Sequence, residues 1–155
     1  MHIRQTTDAA LIARLNEAVQ QVHVRLHPEL FTPYSYPDMK SAFEQYVRRE
    51  NSFFFVVAEQ AQSHPVGYIW IELRNVAPNC FRRGYQAAHI HQLSVSESEQ
   101  RLGFGSALME HAAAFARESG CTQVELDYWV ENTPAAAFYR QIGYQPNRVI
   151  VHKPV

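Results

Sequence analysis

Apolar residues recur along this chain at two spacings, which divide it into helical and extended stretches. Leu11, Ile12, Leu15, Val19, Val22 and Leu26 follow a helical period behind Asp8, a residue able to cap a helix start. A short strand over residues 2–5 precedes this helix, and a second helix is expected over residues 38–49. Residues 53–59 and 66–73 are rich in aromatic and β-branched side chains and are separated by a polar turn, the pattern of an antiparallel hairpin. Residues 88–95 alternate as a third long strand. The helix predicted over 103–119 gathers Ala107, Leu108, Ala112, Phe115 and Ala116 on one face, and Gly120 stops it. A strand over 124–130 follows, then a helix that starts at Asn132 or Thr133 ahead of Pro134 and ends at Gly143. Residues 147–152 read as a last strand. The order β-α-α-β-β-β-α-β-α-β implies an α/β (α+β) fold: a mixed, largely antiparallel sheet with helices on both faces and one strand-helix-strand crossover.

The chain of 155 residues, 46% hydrophobic, is long enough for one domain, residues 1–155, with a sizeable core. Fourteen Lys and Arg against fifteen Asp and Glu give a formal net charge of -1. No sequence-wide basic field exists to hold nucleic acid or an acidic membrane, so neither is expected as a partner. The longest purely apolar run, residues 53–58, is far short of a membrane span, and the polar start lacks a signal-like stretch. A cytoplasmic location is expected. Cys80 and Cys121 have no neighbouring cysteine for a metal knuckle or redox pair and read as buried free thiols. His23 and His27 have the i, i+4 spacing of a metal pair, but no third ligand has a recognisable spacing. A stripe of helix-surface histidines is expected there, and no metal site.

Between the third long strand and the following helix lie Gln100, Arg101, Leu102, Gly103, Phe104, Gly105 and Ser106. Two glycines let backbone approach a ligand, and the free N–H groups of a helix start favour an anion such as a pyrophosphate. The same glycines would equally serve close helix–sheet packing. Neither the dinucleotide-binding pattern nor the P-loop fits, because Arg101 and Ser106 stand where glycines belong and no Gly-Lys-Ser/Thr ending exists.

Read with its flanks, the run Leu93-Ser94-Val95 through Gln100, Gly103 and Gly105 to Ala107-Leu108 resembles the acyl-CoA motif of the GNAT superfamily of N-acetyltransferases. Asn132, Ala135, Phe138 and Tyr139, followed by Gly143-Tyr144, resemble a later motif of the same superfamily. The two motifs cover residues 88–146 in the family's order. Arg101 departs from the pattern where the family usually has glycine, and Gln100 where it more often has arginine.

The resemblance implies a GNAT-like sheet whose fourth and fifth strands splay into a V, with acetyl-CoA as cosubstrate. Leu93, Ser94 and Val95 would hold the pantetheine arm, residues Gln100 to Ser106 the pyrophosphate, and Asn132, Phe138 and Tyr139 the other wall. A backbone N–H of Leu93 or Val95 would stabilise the oxyanion. Tyr139 takes the family's proton-donor position, protonated at neutral pH by its ordinary pKa of about 10. In a regular strand His89, His91 and Leu93 share a face, which would set two imidazoles beside the thioester as candidate bases, with Glu72 in reserve. Acceptor contacts are expected from variable loops, with Phe31, Tyr34, Tyr36, Trp70 and the stretch from Phe81 to Tyr85 as candidates. The function implied is acetyl transfer to a primary amine of a small molecule by direct attack in a ternary complex. Transfer to a protein or peptide amine, or a non-catalytic acyl-CoA-binding regulatory module, are the alternatives. A homodimer is left open.

Overall fold

The computed structural model describes residues 1–153. Its elements run β1 (His2–Gln5), α1 (Ala9–Leu26), α2 (Tyr36–Tyr46), β2 (Ser52–Ala58), β3 (Gly67–Val76), β4 (Tyr85–Val95), a 3-10 turn (Glu97–Glu99), α3 (Phe104–Glu118), β5 (Gln123–Leu126) and α4 (Thr133–Gln141). The strands lie in sequence order in one sheet. Pairs β1–β2, β2–β3 and β3–β4 are antiparallel, while β4 and β5 are parallel and joined through α3. The expected mixed sheet is therefore present.

Alternation along β2 and β3 sorts the core into two layers. Phe54, Val56, Tyr68 and Trp70 pack with Ile12, Leu15 and Phe43 on the α1/α2 face, while Phe55, Val57, Ile69 and Ile71 pack with Phe104, Leu108 and Ala112 of α3 on the other. Leu108 is wholly buried, and burial of that kind contributes about 1.5–3 kcal/mol per large aliphatic side chain. Two caps set helix starts: Leu11 N–H donates to Asp8 Oδ1 (3.0 Å) and Ala135 N–H to Asn132 Oδ1 (3.2 Å).

Several expectations need correction. No strand forms over 147–152 among the described residues, and Val149, Ile150 and Val151 are exposed. The segment alternates apolar and polar residues suitably, but no strand lies beside it to complete its hydrogen bonds. β5 stops at Leu126, because the chain turns away from β4 there despite the strand-like Tyr128-Trp129-Val130. Helix α2 starts earlier, with Pro37 in its first turn, and ends at Tyr46. Cys80 is exposed in the loop before β4, and Cys121 is half-buried. No helix among the described residues is long and apolar enough to cross a membrane.

Candidate active site

β4 and β5 pair only from Ala87–Gln123 to Ile90–Leu126, whereas β4 stays paired with β3 as far as Val95. Past Ile90, one edge of β4 is left open. Ser96 N–H donates to the Val66 carbonyl on the β3 side (2.8 Å). Since successive N–H groups of a strand alternate between its edges, those of Leu93 and Val95 point to the open edge. Two unpaired donors thus face the gap between the strands.

A bulge shapes the same stretch. Trp70 lies opposite Gln92 and Ile71 opposite Ile90, so His91 is the extra residue. His91 stacks on Trp70 (centroids 4.3 Å, 26° between planes) on the α1/α2 face, and His89 meets it edge-on at 4.8 Å. The two imidazoles are neighbours, as expected. Leu93 does not share their face: the bulge shifts the alternation by one, and Leu93 sits opposite Ile69 in the α3-side layer.

Carboxylates surround the pair. Glu72 Oε2 lies 2.7 Å from His91 Nε2 and accepts from Arg74 Nε at 2.9 Å, while Asn51 Nδ2 donates to Glu72 Oε1 at 3.0 Å. Burial alone would raise the Glu72 pKa, but the hydrogen bonds from His91 and Arg74 and the Arg74 charge hold it below the ordinary carboxylate value. An ionised Glu72 is an acceptor only, so His91 Nε2–H is the donor of this hydrogen bond. His89 is buried, with Nδ1 3.7 Å from Glu125 and Nε2 3.9 Å from Asp127, too long for hydrogen bonds. Burial first, then the charges of Arg74 and His91, lower its pKa despite the two carboxylates. His89 is therefore a neutral imidazole at neutral pH, able to take up a proton.

At the far end of β4, Gly103 (φ +90°) starts α3, and Arg101 is the one described non-glycine residue with positive φ (+65°). Arg101 thus adopts the left-handed conformation that glycine would take without strain. No side chain caps α3, and the first intrahelical bond runs from Ala107 N–H to the Gly103 carbonyl (3.0 Å). The N–H groups of Phe104, Gly105 and Ser106 are accordingly free for an anion. Other side chains of this stretch brace the fold: Gln100 Nε2 donates to the Val95 carbonyl (3.1 Å), Ser94 Oγ to the Leu15 carbonyl of α1 (2.7 Å), and Phe104 is buried in the core. Leu102 is exposed. A methyl group at Gly105 would meet the Phe138 ring at 3.4 Å, an ordinary contact, so α3 and α4 pack side by side here.

Helix α4 carries Tyr139 to the cleft, in a cavity of about 320 Å³ that His91, Leu93, Asn132 and Tyr139 all line. Burial, then Tyr144 and Asp127, push its phenol up to about 12, so the hydroxyl keeps its proton at neutral pH. Of the expected acceptor residues, Phe31 lines this cavity and Trp70 supports His91. Tyr34 donates to the Ala13 carbonyl (2.9 Å), Tyr36 accepts from Arg14 (3.2 Å), and Phe81 projects into solvent. His23 and His27 form no surface stripe: His23 stacks on Phe31 (4.7 Å) and His27 packs on Trp129 (4.3 Å). Sequence reasoning missed Arg74, Glu125, Asp127 and Trp129. The last two stand just ahead of the Asn132 motif, and that position was the available signal.

The chain is similar to the uncharacterized N-acetyltransferase MJ1207 of Methanocaldococcus jannaschii, 31% identical over 77% of this chain and 52% of that protein. It is also similar to mycothiol acetyltransferase of Saccharomonospora viridis, 33% identical over 83% of this chain and 42% of that protein. It spans about half the length of these curated relatives or less. A solved tetramutant of the BH1408 protein from Bacillus halodurans shares the fold along the whole of both chains, with a TM-score of 0.91 at 23% identity. The family model for the acetyltransferase (GNAT) family matches residues 16–144, most of the chain. With the family model matched over most of its length and the open edge of β4 facing the tyrosine of α4, this chain belongs to the acetyltransferase (GNAT) family.

Proposed function

We propose that this chain, as one catalytic domain, moves an acetyl group from acetyl-CoA to a primary amine of a small molecule by direct attack in a ternary complex. The observation that carries the reading is the parting of β4 from β5 after Ile90. It leaves two backbone donors at an open edge, with two imidazoles on one side and a protonated phenol on the other. The mycothiol acetyltransferase relative, named for a small-molecule acceptor, supports that acceptor class.

The residues fit acetyl-CoA by their donor chemistry. Free N–H groups of Phe104, Gly105 and Ser106 suit a diphosphate, and the open edge of β4 suits the amides of a pantetheine arm. Bound there, acetyl-CoA supplies an acyl group already activated as a thioester. The N–H of Leu93 or Val95 polarises the carbonyl, which strengthens as negative charge develops on oxygen. His89 or His91 takes the proton an alkylammonium must lose before its nitrogen can attack. Glu72, ionised and hydrogen-bonded to His91, orients that ring and fixes its tautomer. Tyr139 holds the proton that the departing thiolate needs.

Acetyl-CoA is expected to raise the melting temperature, since it binds the native loop and not the unfolded chain. Gly103→Val abolishes the shift, because a β-branched residue disfavours φ +90° and fills the loop. A folded Gly103→Val protein with an unchanged shift would remove the cosubstrate from this loop.

A further inference from the structure

Four rings form a continuous chain of contacts beside the cleft. His23 of α1 stacks on Phe31 of the α1–α2 loop (25° between planes), and Phe31 meets Trp129 of the β5–α4 loop edge-on at 5.7 Å. His27 closes the row against Trp129. His23, Phe31 and Trp129 line the same cavity as His91 and Tyr139, and Trp129 keeps 38% of its surface exposed. The anion-accepting start of α3 lies on the other side of the sheet. What approaches from the ring side is therefore the acceptor.

Charge narrows the acceptor further. Glu29 and Glu131, the carboxylates beside the ring row, lie 3.5 and 3.3 Å from the two nitrogens of His27. Glu125 lies 3.7 Å from the Arg74 guanidinium. Asp127 lines the cavity with its side chain 87% exposed, near His89, and can attract one ammonium group. Beside that anchor the wall offers the ring faces of Phe31 and Trp129. The cavity is at the small end of ligand sites.

We infer that the acceptor is a primary amine joined by a short linker to an aromatic or similarly flat apolar body, which rests on Phe31 and Trp129 while its nitrogen reaches His89 and His91. This rests on the acetyltransferase reading above and narrows it. The carbon–nitrogen bond forms as the acetyl carbon–sulfur bond breaks; one ammonium proton passes to an imidazole before attack, the thiolate takes a proton from Tyr139, and the second proton lost by the nitrogen restores the phenol.

The test is a panel of 2-phenylethylamine, ethanolamine, spermidine and trialanine, each with acetyl-CoA and read as thiol released. The kcat/KM for 2-phenylethylamine should exceed each of the others by about tenfold or more, a scale set by ring contacts and apolar burial. Trp129→Ala should raise KM for 2-phenylethylamine about tenfold while changing KM for ethanolamine less than about twofold, with little effect on kcat. Phe31→Ala gives an independent reading should Trp129→Ala fail to fold, and the acetyl-CoA melting shift reports folding of both. Turnover of the panel without preference for the aryl amine, or an equal rise in KM for every amine, overturns the acceptor class alone. Turnover of trialanine alone overturns it in favour of peptide amines. No turnover of any amine by a protein that acetyl-CoA stabilises overturns the transferase reading with it.

Discussion

At the scale of single residues, His89 and His91 differ in what holds them. His91 is fixed by a carboxylate and an indole face, whereas His89 has a buried Nδ1 with no hydrogen-bond partner. A base with a lowered pKa loses its function only when protonated, so activity should rise with pH along a limb centred below 6.5, the ordinary histidine value. Replacing both histidines by glutamine should flatten that limb and lower kcat about 10²-fold, more than either single change. Retention of rate and limb by the double variant, with both lost in Glu72→Gln, would make Glu72 the base. The sequence pointed to this pair and to Tyr139, but Arg74 and Glu125 were illegible because register, not sequence spacing, brings them to the site. Glu72 faces His89 only through β3–β4 pairing, and Glu125 faces it only through β4–β5 pairing.

Elements were legible in kind and less so at their ends. Helical period, caps and stop glycines located α1, α3 and α4, because those signals are local. The bulge at His91 was hidden, since regular alternation is the default reading of such a run and the interruption comes from the neighbouring strand. The expected strand over 147–152 failed for a related reason: a strand needs a partner, which alternation does not supply. Gly67 lies tight against β4, as a Cβ there would stand 2.6 Å from the Ser94 carbonyl oxygen. Gly67→Ala must push apart two backbones and should destabilise the protein by about 1–3 kcal/mol, read from urea denaturation. It should also weaken acetyl-CoA binding, because β4 moves with its open edge. An alanine variant as stable as the parent would contradict the close approach of the two backbones.

For the whole molecule, a pH effect on stability follows from three histidines at once. Burial is the largest cause lowering the pKa of His23, His89 and His111 in the fold. The unfolded chain, with histidines near 6.5, then binds protons before the native state does, so stability is full above about 6.5 and falls as pH drops toward the lowered native values. The melting temperature should decline between about pH 6.5 and 5, and a flat or rising profile there would contradict the burial of these rings.

The central claim is that the cleft between β4 and β5 transfers acetyl groups with Tyr139 as the proton donor. The most direct measurement follows thiol release from acetyl-CoA in the presence of a primary amine, with mass spectrometry of the amine, for the parent and for Tyr139→Phe. The account predicts one acetylated amine per thiol released, a fall in kcat of about 10²-fold or more in the variant, and little change in acetyl-CoA affinity, because the ring remains. Full turnover by Tyr139→Phe where chemistry limits the rate, or no amine acetylated by a parent protein that binds acetyl-CoA, would contradict it.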